Sequence, residues 1–174
     1  MSTLKVTNLQ KLDGTTFPIG KIGQVLTVTI GSEQSTTSSS YSDVSGLSLA
    51  ITPSATSSKI MVQTLIHADG RNGSGTSSNN RIKLFRDSTF LPSYSGSTDT
   101  FAQYIQESGD GWTYGFHQLN FLFIDAHGQS GGSNLTYKVQ GTTYSSSTTM
   151  YLNRRNYESA QRGQSRITLT EIAA

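Results

Sequence analysis

Three histidines, eleven carboxylates and no cysteine bound the chemistry open to this chain. The absence of Cys removes a thiolate nucleophile, a thiolate metal site and a disulfide framework. His67 and Asp69 lie two apart at the end of a strand-like run, which puts both on one face. That pair could be two metal ligands, or a base with its orienting acid. Polar strand-end residues are the plainer expectation. His117 opens an apolar run, and neither it nor His127 has metal-ligand spacing to a further histidine or carboxylate. The run beginning at Asp69 (DGRNGSGTSSNN) starts like a calcium loop but has Asp69 as its only carboxylate, too little anionic oxygen for a hard cation. Glu107 and Asp110 sit in one loop and read as solvated turn residues, not as a glycosidase acid pair. No GxSxG, P-loop, HExxH or EF-hand pattern occurs. The expectation is therefore no catalytic residue, no cofactor and no metal. Asn72-Gly73-Ser74 and Asn134-Leu135-Thr136 match the glycosylation sequon, as an Asn- and Ser-rich chain does by chance.

Two clusters combine aromatic and hydrogen-bonding side chains. One is Tyr94, Tyr104, Trp112, Tyr114 and Phe116 with Gln103, Gln106, Glu107 and Asp110. The other is Tyr151, Asn153, Arg154, Arg155 and Tyr157. An aromatic plate buries C–H surface while polar neighbours read hydroxyls, so such sets suit a sugar ring or a protein partner. The competing expectation is that these aromatics simply cap the ends of a β-domain. Tyr94, Tyr104, Trp112, Tyr114, Arg154, Arg155 and Tyr157 are the candidate ligand- or partner-binding loop residues.

These residues must be held by β-structure. Ser (27) and Thr (23) make up 29% of the 174 residues, and only 14% are charged. An average soluble domain is about 25% charged. Low charge argues against a coiled coil or helical bundle, and the longest apolar runs are too short to span a membrane. No apolar stretch follows a basic start, so no signal peptide is expected. A net charge of +2 with scattered basic residues does not form a nucleic-acid footprint. The apolar residues are β-branched and aromatic and alternate with polar ones, which argues for a folded chain over a disordered one.

Period-2 alternation marks strands at 4–9, 24–30, 47–51, 59–66, 81–86, 117–124, 134–140, 149–153 and 165–172, with weaker candidates near 16–20 and 101–106. Hydroxyl- and Gly-rich stretches at 31–42, 68–80, 127–134 and 142–149 read as the loops between them. No window carries a capped 3.6-residue period. The predicted fold class is all-β: an antiparallel β-sandwich, jelly-roll-like, with a short N-terminal β segment. Asp13-Gly14 reads as a tight turn, and a lone hairpin is marginal in water. Residues 1–22 are thus expected to be an attachment or oligomerisation segment, with Leu4, Val6, Leu9 and Phe17 as anchoring residues, and 23–174 the sandwich domain.

The order of several segments carries a resemblance. MSTLKVTNLQKLDGTTFPIGKI, LSLAITPSATSSKIMV, LTYKVQ, MYLNR and SRITLTEIAA together resemble small tail-fibre-like structural proteins of marine tailed phages of the cyanophage type. The match covers residues 1–66 and 117–174 and departs over 67–116 and at Asp125-Ala126-His127. The resemblance implies a virion structural protein, made in the bacterial host cytoplasm, with a sandwich module that forms homotrimers. It implies no catalytic residues. Two functions follow as expectations. The first is a trimeric module anchored to other virion proteins by its N-terminus, with loops meeting host-surface glycan. The alternative is a capsid or tail decoration protein that stabilises the particle. A depolymerase lacks a credible acid pair, and no nucleic-acid partner or membrane insertion is expected.

Overall fold

A computed structural model describes residues 21–72, 78–91, 103–107, 117–143, 147–155 and 162–173. The described residues form strands and no helix. They are β1 (Lys21–Ile30), β2 (Gln34–Thr36), β3 (Ser42–Ile51), β4 (Lys59–Asn72), β5 (Ser78–Arg86), β6 (Thr89–Leu91), β7 (Gln103–Glu107), β8 (His117–Asp125), β9 (Leu135–Thr142), β10 (Thr148–Leu152) and β11 (Ser165–Ala173). All named pairings are antiparallel and build two sheets. The first runs β1-β11-β4-β10-β2, with β8 on the other side of β4. The second runs β3-β9-β5-β6, with β7 also on β5.

Alternation decides which residues meet between the sheets. Ile60, Val62 and Ile66 of β4, Ile167 and Leu169 of β11, and Met150 and Leu152 of β10 point inward from the first sheet. Leu47 and Ile51 of β3, Leu135, Tyr137 and Val139 of β9, and Ile82 and Leu84 of β5 face them from the second. Burial of these side chains, each worth about 1.5–3 kcal/mol, is the main force holding the layers together. The expected antiparallel sandwich is the observed architecture.

The strand β4 is longer than its alternation suggested. Residues 68–72 read as a turn-forming loop, yet they are strand, because β10 pairs with them from Thr148↔Asn72 to Leu152↔Ala68. The short strands β2 and β6 lie in hydroxyl-rich or charged sequence with no alternation to mark them. The sheet takes in Lys21 and Ile22, paired with Ala173 and Ile172, so β1 begins before the expected domain start at residue 23.

Two buried polar ties join the layers. Asp125 of β8 receives Arg86 Nη1 and Tyr137 Oη, each at 2.6 Å, which links the first sheet to β5 and β9 of the second. Burial, then the Asp125 carboxylate, holds the Tyr137 phenol well above its ordinary range. Glu171 of β11 faces inward, in step with Ile167 and Leu169. Its Oε1 accepts from Ser54 N (2.7 Å) and Ser54 Oγ (2.6 Å), and its Oε2 from Gln24 Nε2 (2.9 Å). Burial pushes this carboxyl up, but the Ser54 and Gln24 donors outweigh it and hold it at about 2. The β1 register shifts between Ile22 and Val25, beside this carboxylate. Gly23 sits in that bulge, where a Cβ would come within 2.7 Å of Glu171 Oε2.

Candidate functional site

The strand β4 changes partners along one edge. Its first half, Lys59–Leu65, pairs with β11, and its last part, Ala68–Asn72, pairs with β10. Between them the main chain at His67 faces the gap where those two strands part. A buried amide or carbonyl there must find a partner. Ser165 Oγ accepts from His67 N at 3.0 Å, and Asn153 N donates to His67 O at 2.9 Å.

Asn153 follows β10 and fills this fork. It is fully buried, and its φ of 58° lies in the left-handed region that Asn tolerates better than most residues. Its carbonyl accepts from Gly163 N at 3.1 Å, and its Oδ1 from Ser165 Oγ at 2.6 Å. Its Nδ2 donates to Ile30 O at 3.1 Å and Ser32 O at 3.0 Å. One residue thereby ties together the end of β1, the middle of β4, the end of β10 and the start of β11. A network with every member satisfied is rigid.

A half-open cleft of about 700 Å³ lies over this fork, on the outer face of the first sheet. Thr29, Arg166 and Leu65 form one row across β1, β11 and β4 as its floor. Arg162, Gly163 and Gln164 make a wall, anchored through the Gly163–Asn153 bond and an Arg154↔Arg162 bridge. His67 lines it too, and its Nδ1 lies 2.8 Å from Gln164 O. A carbonyl only accepts, so Nδ1 carries the proton in that bond.

The cleft lining includes two guanidiniums, Arg162 and Arg166. Glu33 meets both Arg154 Nη1 (3.5 Å) and Arg162 Nη2 (2.9 Å). Arg166 is exposed and forms no ion pair among the described residues. The Arg154 guanidinium also stacks 4.7 Å from the Tyr151 ring centroid.

Of the expected loop residues, Arg154 follows Asn153 as a Glu33 partner, and the next residue, Arg155, accepts from Arg154 Nε through its carbonyl at 3.2 Å. Tyr104 falls in β7, in register with Arg81. Tyr94, Trp112, Tyr114 and Tyr157 lie outside the described residues, as do the anchoring candidates Leu4, Val6, Leu9 and Phe17. His67 and Asp69 do share one face of β4, but Asp69 is buried and its Oδ1 accepts from Gly70 N at 2.7 Å. No group of three metal-binding side chains occurs among the described residues. Sequence reading missed Glu33, Arg162 and Arg166; Glu33 is far from the two arginines in the chain and comes near them only where β1 ends and β11 begins beside β4.

A second feature is apolar. Ile22 (64% exposed), Val25 (58%), Leu122 (61%) and Ile124 (52%) all project from the outer face of the first sheet. Register places Ile124, Met61, Thr170 and Val25 in one row across β8, β4, β11 and β1. Leu122 lies in the next row with Gln63, Thr168 and Thr27.

The fold defines a class, the antiparallel β-sandwich proteins. No family model and no curated protein matches the chain. Among solved structures it is similar to the 2.6 Å structure of infectious bursal virus-derived T=1 particles, at TM-score 0.42 and 13% identity over 98% of this chain and 41% of that one. It is also similar to the infectious bursal disease virus VP2 subviral particle, at TM-score 0.41 and 13% identity over 98% of this chain and 43% of that one. The chain therefore spans less than half the length of these structures.

Proposed function

We propose that this chain is a virion structural protein: a tail-fibre-like homotrimeric module, held to other virion proteins through residues 1–22 and presenting loops to host-surface glycan. The observation that carries the reading is the outer apolar face. Four large aliphatic side chains stand in water on a sheet whose other outward residues include Thr27, Thr29, Gln63 and Thr168. Scattered single exposures need no explanation, but a shared face of this kind suits coverage by a sister subunit. The resemblance to phage tail-fibre-like proteins points the same way. The buried carboxylates Asp69, Asp125 and Glu171 are each engaged in internal hydrogen bonds, which suits a structural role better than acid–base chemistry.

Light scattering on the full chain at micromolar concentration tests the assembly and should return a trimer mass. Leu122→Asn with Ile124→Asn should shift it to monomer without lowering Tm. A wild-type monomer refutes the trimer. Adsorption tests the role: purified protein should compete with phage for host cells. If particles without the protein lose heat tolerance and keep their adsorption rate, the decoration reading replaces this one.

A further inference from the structure

We infer that the cleft over the Asn153 fork is a binding site for an acidic saccharide, a sugar bearing a carboxylate or sulfate group. The inference deepens the host-glycan reading and rests on it only for where such a ligand is met. It places recognition on the sheet face and the β11 entry, away from the aromatic loops singled out in the sequence.

Three features of the cleft select this chemistry. First, the lining carries two guanidiniums, Arg162 and Arg166, and Glu33, outside the lining, pairs with Arg162 and Arg154. Guanidinium forks match the paired oxygens of carboxylate or sulfate, and the partly hydrated Arg166 head can take such a group at small desolvation cost. Second, the cleft is mixed in character. Thr29 and Gln164 offer hydroxyl and amide groups, Gly31 and Gly163 allow close approach to main chain, and Leu65 offers an apolar patch for a ring's C–H face. Its volume of about 700 Å³ exceeds what a lone anion needs and falls within the roughly 300–1,000 Å³ typical of small-molecule sites. Third, the walls are pre-formed. The bonds from Asn153 to Gly163, Ser165, Ile30 and Ser32 hold the backbone that carries Arg162, Gln164 and Gly31, so little order must be gained on binding. The described lining has no aromatic platform for base stacking, and few cations for a phosphate backbone, which disfavours nucleic acid.

The test is titration of the full chain, at low salt, with fluorescein-labelled trigalacturonate and with a sulfated heparin-type disaccharide; labelled maltotriose is the neutral control. The expected result is saturable binding of at least one acidic probe and none of maltotriose. Arg162→Gln with Arg166→Gln should weaken that binding at least about tenfold, because each removes a charge-assisted contact. Arg166→Lys should retain part of it, as it keeps the charge and loses the fork. Thermal melts should be unchanged in both variants. Binding of trigalacturonate alone assigns a carboxylate, and of the disaccharide alone a sulfate. The inference is overturned if neither acidic probe saturates, if maltotriose binds equally, or if the double variant binds as wild type does. Acidic-probe binding by a protein that does not compete for host cells refutes the adhesion reading and leaves the cleft's assignment intact. Competition for cells that survives the double variant separates the two in the other direction and overturns the cleft's role in adhesion.

Discussion

Replacing Asn153 is the sharpest probe of how the fork is held. In Asn153→Ala, Ile30 O and Ser32 O lose their amide donor and Ser165 Oγ loses its acceptor. A hydrogen bond lost from a native structure costs about 1 kcal/mol, more where the orphaned group stays buried. Ser165 is fully buried, so water does not easily replace that partner. Alanine must also hold the φ of 58°, which adds about 1 kcal/mol for a residue with a Cβ. The expected loss is about 3–4 kcal/mol, or a fall of about 10 °C in Tm for a chain of this length. Asn153→Gly loses the same side-chain bonds and avoids the Cβ penalty, so it should be milder by about 1 kcal/mol. Urea unfolding at neutral pH measures both, with an unchanged m-value as the check on two-state behaviour. An alanine variant within about 0.5 kcal/mol of wild type, the spread of ordinary surface substitutions, would show that the fork does not depend on this side chain. Equal losses for Ala and Gly would remove the backbone part of the reasoning.

The other predictions concern the buried ties and two glycines of positive φ. Glu171 has its folded pKa lowered from 4.5 to about 2, so its contribution is complete above pH 4.5 and is lost as pH falls from there toward 2. Glu171→Gln should therefore be less stable at pH 7, by at most about 3 kcal/mol, and should lose less than wild type on acidification, as followed by thermal melts from pH 7 to pH 2. Arg86→Met leaves Asp125 buried without its cation and should cost about 3–5 kcal/mol, whereas Tyr137→Phe removes one hydrogen bond and should cost about 1–2 kcal/mol by urea unfolding. Equal costs would count against the ion pair as the stronger tie. Gly46→Ala meets both a φ of 79° and Ile30 Cγ2 at 2.8 Å, while Gly128→Ala meets a φ of 62° in open space. The first should destabilise by about 2 kcal/mol or more and the second by about 1 kcal/mol, in the same denaturant assay.

Alternation marked the long strands because a half-buried strand needs nothing else. Leu26, Val28 and Ile30, or Leu135, Tyr137 and Val139, reach the core from consecutive odd or even positions, and the described strands around them lie where the pattern placed them. The same logic made Glu171 an inward charge in principle, two places beyond Leu169, although only the fold shows that Ser54 and Gln24 meet it there. It failed where pairing comes from afar. Asp69, Gly70 and Asn72 are turn-forming types, yet β10 offers residues 68–72 a ladder, and main-chain hydrogen bonding overrides local preference. The outward exposure of Leu122 and Ile124 was implicit in placing Leu119, Phe121 and Phe123 inward, but nothing local says whether another element covers that face.

The candidate site divides in the same way. Sequence by itself determined an all-β chain with hydroxyl-rich outer faces, and it singled out Asn153, Arg154 and Arg155 as polar groups beside an aromatic residue. It could not bring Glu33 to Arg154 and Arg162, or Arg166 to His67, because those meetings depend on which strands are neighbours. Tertiary structure decided that by splitting one edge of β4 between β11 and β10. Backbone groups at His67 had to be satisfied in the resulting gap, Asn153 could adopt the left-handed turn that satisfies them, and the cleft is the surface of that solution.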